Sequence, residues 1–288
     1  MKKAMMYSFS VCAVVLMMSC GGKEAKFEPL FNGVNLDGWE VYLGVPDSSV
    51  DVPGLARDES GKYTEALGVN NDPLGVFSVQ TVDGGTVIRS SGQIYGSLAT
   101  VAEYSNYHLR LEAKWGEQKW APREDKPRNA GVLYHGTGDF GKGLNVWKVS
   151  HECQVMENMF GDSYRMGNTY CDITALQVDG RYVFDRTAPA VTFGHDLPAG
   201  PICSKNPVNE KPVGEWNVIE VLCHGDVSIH RINGKVNMIN TRSHLIRDGK
   251  SLPLTKGVIQ LQSEGAEIFY RNVEIRPITD ISQYLQQK

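Results

Sequence analysis

The segment VWKVSHECQVMEN, residues 146–158, combines acidic, amide and imidazole side chains with an apolar period of two residues. That period is typical of a β-strand with one face on a core. We expect Cys153 to point into the core, and Glu152 and Gln154 to line the opposite face. A carboxylate beside an amide can exchange protons and bind hydroxyl groups. The alternative interpretation is an ordinary solvated sheet face.

A second carboxylate, Glu157, lies five residues after Glu152, so a regular strand would turn it onto the opposite face. A β-bulge after Gln154 would return it to the face that carries Glu152. Two carboxylates on one face can divide the roles of acid and base between them. His151 falls among the apolar positions, so we expect a core histidine there rather than a catalyst.

These residues need a sheet to hold them, and strand patterns dominate the chain. Alternating or β-rich runs predict strands at 107–115, 129–135, 216–240, 257–262 and 267–278. Asn233-Gly234 predicts a tight hairpin turn, because both central residues of a type I′ turn need a positive φ. Only the tail, residues 280–288, has a helical pattern. The sequence therefore predicts an all-β fold, an antiparallel sandwich in one domain.

Two predicted loops and the overall charge indicate which kinds of partner the protein can bind. Residues 45–73 are rich in Gly, Pro, Asp and Asn and predict a long surface excursion, and residues 120–128 predict a second loop. Loops of that length often form the rim of a binding site. The formal net charge is −4 and no dense stretch of Lys and Arg occurs, which argues against nucleic acid as the main partner.

The N-terminal residues have the pattern of an export signal. A short basic start is followed by an apolar run, residues 11–18, which is too short to span a membrane as a mature helix. The run ends in Ser19-Cys20, and LMMSC is similar to a lipobox. We therefore expect removal of residues 1–19 and acylation of Cys20, with a plain secretory signal as the alternative.

This interpretation divides the chain into four parts. Residues 1–19 are the lipoprotein signal peptide, 20–26 a tether, 27–280 a single jelly-roll domain and 281–288 a C-terminal tail. A membrane-anchored lipoprotein of the outer membrane or cell envelope, facing the periplasm or the cell surface, is the expected location.

The cysteines leave their pairing open. Cys153, Cys171, Cys203 and Cys223 lie in the expected mature domain, where four cysteines allow three full disulfide connectivities. Cys153 and Cys223 can equally be small buried hydrophobes. The absence of a C-x-x-C pair argues against a zinc ribbon, and the sequence indicates no certain cofactor. A divalent metal ion stays open, because oxygen ligands are available at Asp162, Asn168 and Asp172.

Five segments, in order along the chain, carry a resemblance to a known family. They are FEPLFNGVNLDGW, NAGVLYH, HECQVMEN, GEWNVIEVLCHGDVSIHRINGK and GVIQLQSEGAEIFYRNVEI. The chain resembles the 3-keto-disaccharide hydrolase family over nearly all of residues 27–278. The resemblance implies a concanavalin-like jelly roll of two curved antiparallel sheets with a sugar groove on the concave sheet. It also implies a glycoside substrate whose sugar C3 has been oxidised to a ketone.

A ketone at C3 makes the C2 proton acidic, so a base can form an enolate and the C1 substituent can leave by β-elimination before water re-adds. The residues that we expect to exchange protons are Glu152, Glu157, His135 and Glu264. The residues that we expect to bind the substrate are Gln154, Lys148, Asn158, Gln262, Arg271 and Tyr134. Arg271 shares its face with apolar residues, so it can alternatively be a structural arginine paired with a carboxylate.

Two departures from the family pattern leave alternatives open. Where the family often has Glu-x-Gln-x-x-Asp-Asn, this chain has Glu157 before Asn158, one methylene longer. Where the family often has Leu-Gln-x-His-Gly, this chain has Glu264, so the identity of the general base is open. The spacing also fits a retaining glycosidase with Glu152 as nucleophile and Glu157 as acid/base. A non-catalytic carbohydrate-binding lipoprotein and a structural lipoprotein without a ligand are further alternatives.

Overall fold

The computed structural model describes residues 25–287, and its regular structure is almost entirely β. Cys20 and the expected signal peptide lie outside these residues. The strands, in chain order, are β1 (Glu28–Pro29), β2 (Trp39–Leu43), β3 (Gly68–Val69), β4 (Phe77–Val82), β5 (Gly85–Ser90), β6 (Gly96–Thr100), β7 (Tyr107–Lys119), β8 (Gly131–Thr137), β9 (Val149–Gln154), β10 (Ser163–Met166), β11 (Thr169–Val178), β12 (Arg181–Phe184), β13 (Ala190–Phe193), β14 (Ile202–Cys203), β15 (Asn217–His224), β16 (Val227–Ile232), β17 (Lys235–Arg247), β18 (Lys250–Pro253), β19 (Val258–Ser263) and β20 (Ala266–Pro277). One short helix, α1 (Ser282–Leu285), confirms the helical pattern of the tail.

The strands form two antiparallel sheets. The larger sheet has the order β12-β11-β17-β16-β15-β7-β20-β5-β4, and β13, β18 and β1 pair with β11, β17 and β20. The smaller sheet has the order β14-β10-β9-β8-β19-β6-β2-β3. Several neighbours are distant in sequence, such as β19 beside β8 and β20 beside β7. The predicted all-β jelly-roll sandwich of two antiparallel sheets is confirmed.

The core lies between the sheets because apolar residues alternate along the strands. Leu109, Leu111 and Ala113 of β7 point inward from the larger sheet and are fully buried. Val132 of β8 and Leu261 of β19 belong to the same buried cluster on the smaller sheet, where they pair directly. Burying each large aliphatic side chain contributes about 1.5–3 kcal/mol, so this cluster fixes which face of each sheet points outward.

The hairpin turn predicted between β16 and β17 is present. Asn233 has a φ of 50° and Gly234 a φ of 82°. Ile232 and Lys235 pair directly on either side of them. Positive φ at both central positions is the conformation that a type I′ turn requires and that Asn-Gly adopts at low cost.

Residues 45–73 differ from the predicted surface excursion. Val50, Val52 and Tyr63 of this segment are buried and belong to the core cluster between the sheets. The Tyr63 hydroxyl accepts a hydrogen bond from the Val52 amide at 3.0 Å and donates one to the Val50 carbonyl at 3.1 Å. The segment therefore covers part of the core instead of extending into solvent. In residues 25–287 no helix is long and apolar enough to cross a membrane.

Candidate functional site

Glu152 lies on the outer face of the smaller sheet. Its direct neighbours are Tyr164 on β10 and Leu133 on β8. Cys153, the next residue, points into the core cluster. The orientation expected from the alternation is therefore present, and β9 delivers a carboxyl group to the outer face while its other side packs on the core.

A glycine makes room for this carboxyl group. A Cβ atom on Gly131 of β8 would lie 2.2 Å from Oε1 of Glu152 and 2.6 Å from Oε1 of Gln262. The carboxyl group and the amide therefore share the small space above Gly131. Glu152 is only 2% exposed, and no group in residues 25–287 donates a hydrogen bond to it. Oε1 of Gln262 is likewise buried without a partner among these residues.

A second carboxyl group, Glu264, follows the end of β19 on the same side. Its backbone pairs with Asn129, and Nη1 of Arg123 lies 3.7 Å from its Oε1. Burial raises the pKa of Glu264 to about 6, while the Arg123 charge and a hydrogen bond from Asn129 hold it lower than burial alone would. Glu264 is therefore mostly ionised at neutral pH.

The surroundings of Glu152 favour the opposite, neutral form. Burial raises its pKa well above the ordinary value, the negative charge of Glu264 raises it further, and the Arg165 charge opposes both. Burial therefore favours the neutral form of this carboxyl group. Its O–H can then supply the donor that Oε1 of Gln262 lacks. The face thus carries one carboxyl group that burial holds toward its neutral form and one that is mostly ionised, the pattern of an acid and a base.

Aromatic side chains border these two groups. Burial raises the pKa of Tyr164 to about 12, helped by the charges of Glu152 and Glu264. The indole of Trp147 is buried, donates to the Gly96 carbonyl at 2.8 Å, and stacks on Tyr95 with a centroid distance of 6.4 Å. Aromatic walls around a few polar groups are typical of small-molecule sites.

Sequence reasoning did not identify several residues of this site. They are Tyr95, Arg123, Asn129, Gly131, Trp147 and Tyr164. Trp147 lies in the segment that indicated the site, and Arg123 lies in the loop that was expected to be a rim. The others become neighbours of the carboxyl groups only through pairing between distant strands.

Gln154 shares the outer face with Glu152, as the alternation predicts, whereas Glu157 does not. β9 ends at Gln154, and the chain then turns, with the Gly161 amide donating to the Gln154 carbonyl at 2.9 Å. Oε1 of Gln154 accepts hydrogen bonds from the backbone amides at the start of this turn. Glu157 is partly exposed and pairs with Arg128 at 3.3 Å. The predicted β-bulge is wrong, because the register continues past Gln154, with the Val155 and Glu157 amides donating to the Ala130 and Arg128 carbonyls at 2.9 Å, so Glu157 does not join Glu152.

His135 and Tyr134 lie behind the sheet instead of on its outer face. The β8 register shifts between Tyr134 and Thr137, and His135 adopts a φ of 56° within this irregularity. Its Nδ1 donates to the Leu254 carbonyl at 3.1 Å, and burial lowers its pKa to about 4. The Tyr134 hydroxyl lies 2.8 Å from Oγ of Ser228 on the larger sheet. Both side chains therefore belong to the polar interior between the sheets.

The remaining predicted binding residues have partners away from Glu152. Nζ of Lys148 donates to the Gly138 carbonyl at 2.9 Å and lies 4.0 Å from the ring centroid of Phe140. The backbone carbonyl of Asn158 accepts a hydrogen bond from Nζ of Lys205.

Arg271 belongs to the other sheet. It pairs with Glu112 at 2.6 Å and lies 4.0 Å from the ring of Trp216. The structural interpretation of Arg271 is therefore correct. Its expected role in substrate binding does not fit, because the larger sheet does not carry the carboxyl pair.

The oxygen ligands considered for a divalent cation are engaged separately. Oδ1 of Asp162 accepts a hydrogen bond from the Lys205 amide at 2.9 Å, whereas Asp172 pairs with Arg242 at 2.7 Å. The side chain of Asn168 donates to the Ile246 carbonyl. Residues 25–287 contain no group of three or more His, Cys, Asp or Glu side chains arranged to hold a metal ion.

The four cysteines of the described domain are buried free thiols.

Fold and site together define a β-sandwich protein with two buried carboxyl groups and aromatic side chains on the outer face of one sheet. The chain belongs to the family described as the 3-keto-alpha-glucoside-1,2-lyase-like domain, whose match covers residues 26–276. Membership of this family indicates a carbohydrate-processing protein. No curated protein matches the chain.

Several solved structures are similar to this chain. A candidate glycosyl hydrolase from Parabacteroides distasonis ATCC 8503 is 20% identical, with a TM-score of 0.44 over 88% of this chain and 94% of that chain. The carbohydrate binding module CBM66 from Bacillus subtilis is 11% identical, with a TM-score of 0.40 over 69% and 91%. A Bacillus subtilis protein with a galectin-like fold is 11% identical, with a TM-score of 0.41 over 88% and 97%. At identities this low, similar architecture says nothing about the substrate.

Proposed function

We propose that this protein cleaves glycosides whose sugar C3 is a ketone. The reaction begins with proton abstraction at C2, continues with elimination of the C1 substituent, and ends with addition of water. One observation carries the proposal: Glu152, whose burial favours the neutral form, and Glu264, whose pKa of about 6 leaves it mostly ionised, lie on the same sheet face beside Gln262. Family membership supports the substrate class.

In the first step the carboxylate of Glu264 takes the C2 proton. The electrons of the C–H bond form a C2=C3 double bond, and the negative charge moves to the oxygen on C3. Arg123 and the amide of Gln262 are the groups beside Glu264 that can stabilise this enolate. Nε of Arg123 is buried without a partner in residues 25–287, so a donor is available. Preorganised donors of this kind are typically the largest contribution to stabilising an oxyanion.

In the second step the enolate collapses. The C3 ketone re-forms, a C1=C2 double bond forms, and the C1–O bond breaks. The leaving oxygen takes the proton of Glu152. Water then adds to C1 and gives a proton to the Glu152 carboxylate, while Glu264 returns its proton to C2. Both carboxyl groups regain their starting state, and the net reaction is hydrolysis.

The burial of Glu152 favours this reaction over that of a retaining glycosidase. A nucleophile must be ionised, and burial without hydrogen-bond donors opposes ionisation of Glu152. The partner that a retaining mechanism would need, Glu157, pairs instead with Arg128 in the turn that follows β9.

Substrate comparison tests the proposal. A 3-keto-glucoside and its unoxidised parent are incubated separately with the protein, and products are identified by mass spectrometry. We expect cleavage of the keto substrate alone, and no cleavage by the Glu152→Gln/Glu264→Gln double variant. Equal cleavage of both glycosides would instead support a conventional glycosidase, and binding without cleavage would support a carbohydrate-binding protein.

A further inference from the structure

Arg165 is a fully buried cation without an acidic partner. It lies on the inner face of β10, and its guanidinium donates to Sγ of Cys171 and Oγ of Ser163. Its Nε has no hydrogen-bond partner among residues 25–287, and no carboxylate of this part of the chain forms an ion pair with it. Burying an unpaired charge lowers the stability of the folded protein, so a buried arginine of this kind suggests a functional role.

The groups that face Arg165 from neighbouring elements do not neutralise it. Burial lowers the pKa of His151 on β9 well below its ordinary value, and burial lowers that of His230 on β16 to about 3. Burial raises the pKa of Cys171 on β11 to about 11. All three groups are therefore uncharged at neutral pH. The nearest strands thus supply polar contacts to the guanidinium but no negative charge.

Glu152 and Arg165 lie on opposite faces of the smaller sheet, one position apart on two paired strands. On the paired strands β9 and β10, Tyr164 pairs with Glu152 and Arg165 pairs with His151. Glu152 therefore points outward one position along from the inward-pointing Arg165. From the outer side Glu152 faces Glu264, Gln262 and Tyr164, and the cation on that side, Arg123, pairs with Glu264 at 3.7 Å. Arg165 is thus the positive charge that opposes the effect of burial on Glu152.

We propose that Arg165 is a positioning residue that acts through the smaller sheet to stabilise the Glu152 carboxylate formed when Glu152 protonates the leaving group. The inference rests on the proposed function, because it assigns Glu152 the role of acid. A buried acid without a counter-charge would hold its proton too tightly to release it. The cation behind the sheet reduces this penalty without occupying the groove.

The expected effect is modest and measurable. Side chains on opposite faces of neighbouring strands place their charges roughly 10 Å apart, and at an effective dielectric constant of about 20 this separation changes a pKa by about one pH unit. Removing the Arg165 charge should therefore raise the pH at which Glu152 ionises by about one unit. A lysine at this position should largely preserve the wild-type value.

The test measures Glu152 without using a substrate. The infrared carbonyl band of the protonated Glu152 side chain is assigned by its loss in Glu152→Gln, and it is then titrated with pH in the wild type, Arg165→Met and Arg165→Lys. We expect an upward shift of about one pH unit in Arg165→Met and a near wild-type titration in Arg165→Lys. An unchanged titration in folded Arg165→Met, or equal shifts in both variants, would overturn the inference.

A second variant covers the case in which Arg165→Met does not fold. Ser163→Asp places a carboxylate beside the guanidinium that Ser163 now contacts, so it neutralises the cation without removing it. The same upward shift is expected, and its absence would overturn the inference. Because the titration uses no glycoside, a shifted band in a protein that cleaves no 3-keto-glycoside would reject the proposed function while leaving the link between Arg165 and Glu152 intact.

Discussion

Two glutamates on one sheet face have different surroundings, and these surroundings favour a different protonation state for each. Glu152 is buried without a hydrogen-bond donor from residues 25–287, which favours its neutral form. Glu264 is also buried, but Arg123 and Asn129 support its ionised form. Pairs of titratable groups whose environments separate their pKa values are typical of acid–base catalysis. Roles as acid and base follow from these contacts.

Replacing either glutamate should abolish most activity. Glu264→Gln and Glu152→Gln should each lower kcat/KM on a 3-keto-glucoside by about 100- to 10,000-fold, because positioned acids and bases contribute in that range. The matched control is Glu157→Gln, whose carboxylate pairs with Arg128 at the turn after β9 and should change the rate less than about threefold. Thermal unfolding checks that each variant is folded. A large loss in Glu157→Gln with normal rates in the other two would contradict the assignment.

The pH dependence of the rate should report Glu264. The base must be ionised, so kcat/KM should fall as the pH drops through about 6, the pKa of Glu264. Arg123→Met removes the charge that holds this pKa down, so the acidic limb of the profile should move to higher pH. Rates measured across this range check both statements. A limb that stays in place or moves to lower pH in Arg123→Met would show that another group is the base.

The same pKa affects stability with a definite sign. Glu264 has a folded-state pKa of about 6 against an ordinary value of 4.5, so the folded protein binds this proton more tightly than the unfolded chain. Its contribution to stability is present below the ordinary value and is lost as the pH rises through about 6.

At the scale of single strands, the alternation of apolar and polar residues predicted which sheet face each side chain occupies. It did not predict the positions where a strand is irregular or ends. Glu152 points outward and Cys153 inward because β9 is regular up to Gln154. His135 could not be placed from the sequence, since a histidine with positive φ inside a strand run leaves no pattern in the residues. The β-bulge predicted before Glu157 is absent for a related reason: whether a strand keeps its register depends on contacts with distant residues such as Arg128.

Tyr134 should matter for stability and not for binding. Its hydroxyl joins β8 to the larger sheet through Ser228 and His230, at 2.8 and 3.0 Å. Tyr134→Phe should lower the free energy of unfolding by about 1–3 kcal/mol, because buried polar atoms lose a partner. Urea unfolding measures this change, and KM should stay constant. A raised KM with unchanged stability would contradict this prediction and would indicate that Tyr134 binds the substrate.

At the scale of the whole molecule, the fold could be predicted from the sequence, but the complete set of site residues could not. Strand patterns and Asn233-Gly234 specified an antiparallel sandwich because they depend on neighbours in the chain. Glu264 drew attention as a departure from the family pattern, but Arg123 and Asn129 come next to it only when the loop after β7 folds against the end of β19. Contacts of this kind depend on tertiary packing, which no local pattern encodes.

We propose that the whole molecule is anchored to a membrane through acylated Cys20. The motif LMMSC supports this proposal, and Cys20 lies outside the described residues. In detergent phase partitioning of the full-length protein expressed in a bacterial host, Cys20→Ser should move it from the detergent phase to the aqueous phase, because the acyl chains supply the membrane affinity. Cys12→Ser, which changes a cysteine in the expected signal peptide, is the control and should leave partitioning unchanged. Detergent partitioning that persists in Cys20→Ser would exclude the lipid anchor.

The fate of the proton at sugar C2 tests the central claim most directly. A 3-keto-glucoside carrying deuterium at C2 is cleaved by the wild-type protein, and the isotope content of the sugar product is measured by mass spectrometry. If Glu264 removes the C2 proton before the C1–O bond breaks, the deuterium should be lost to solvent or should slow the reaction. Rapid cleavage with the deuterium fully retained at C2 would contradict the account.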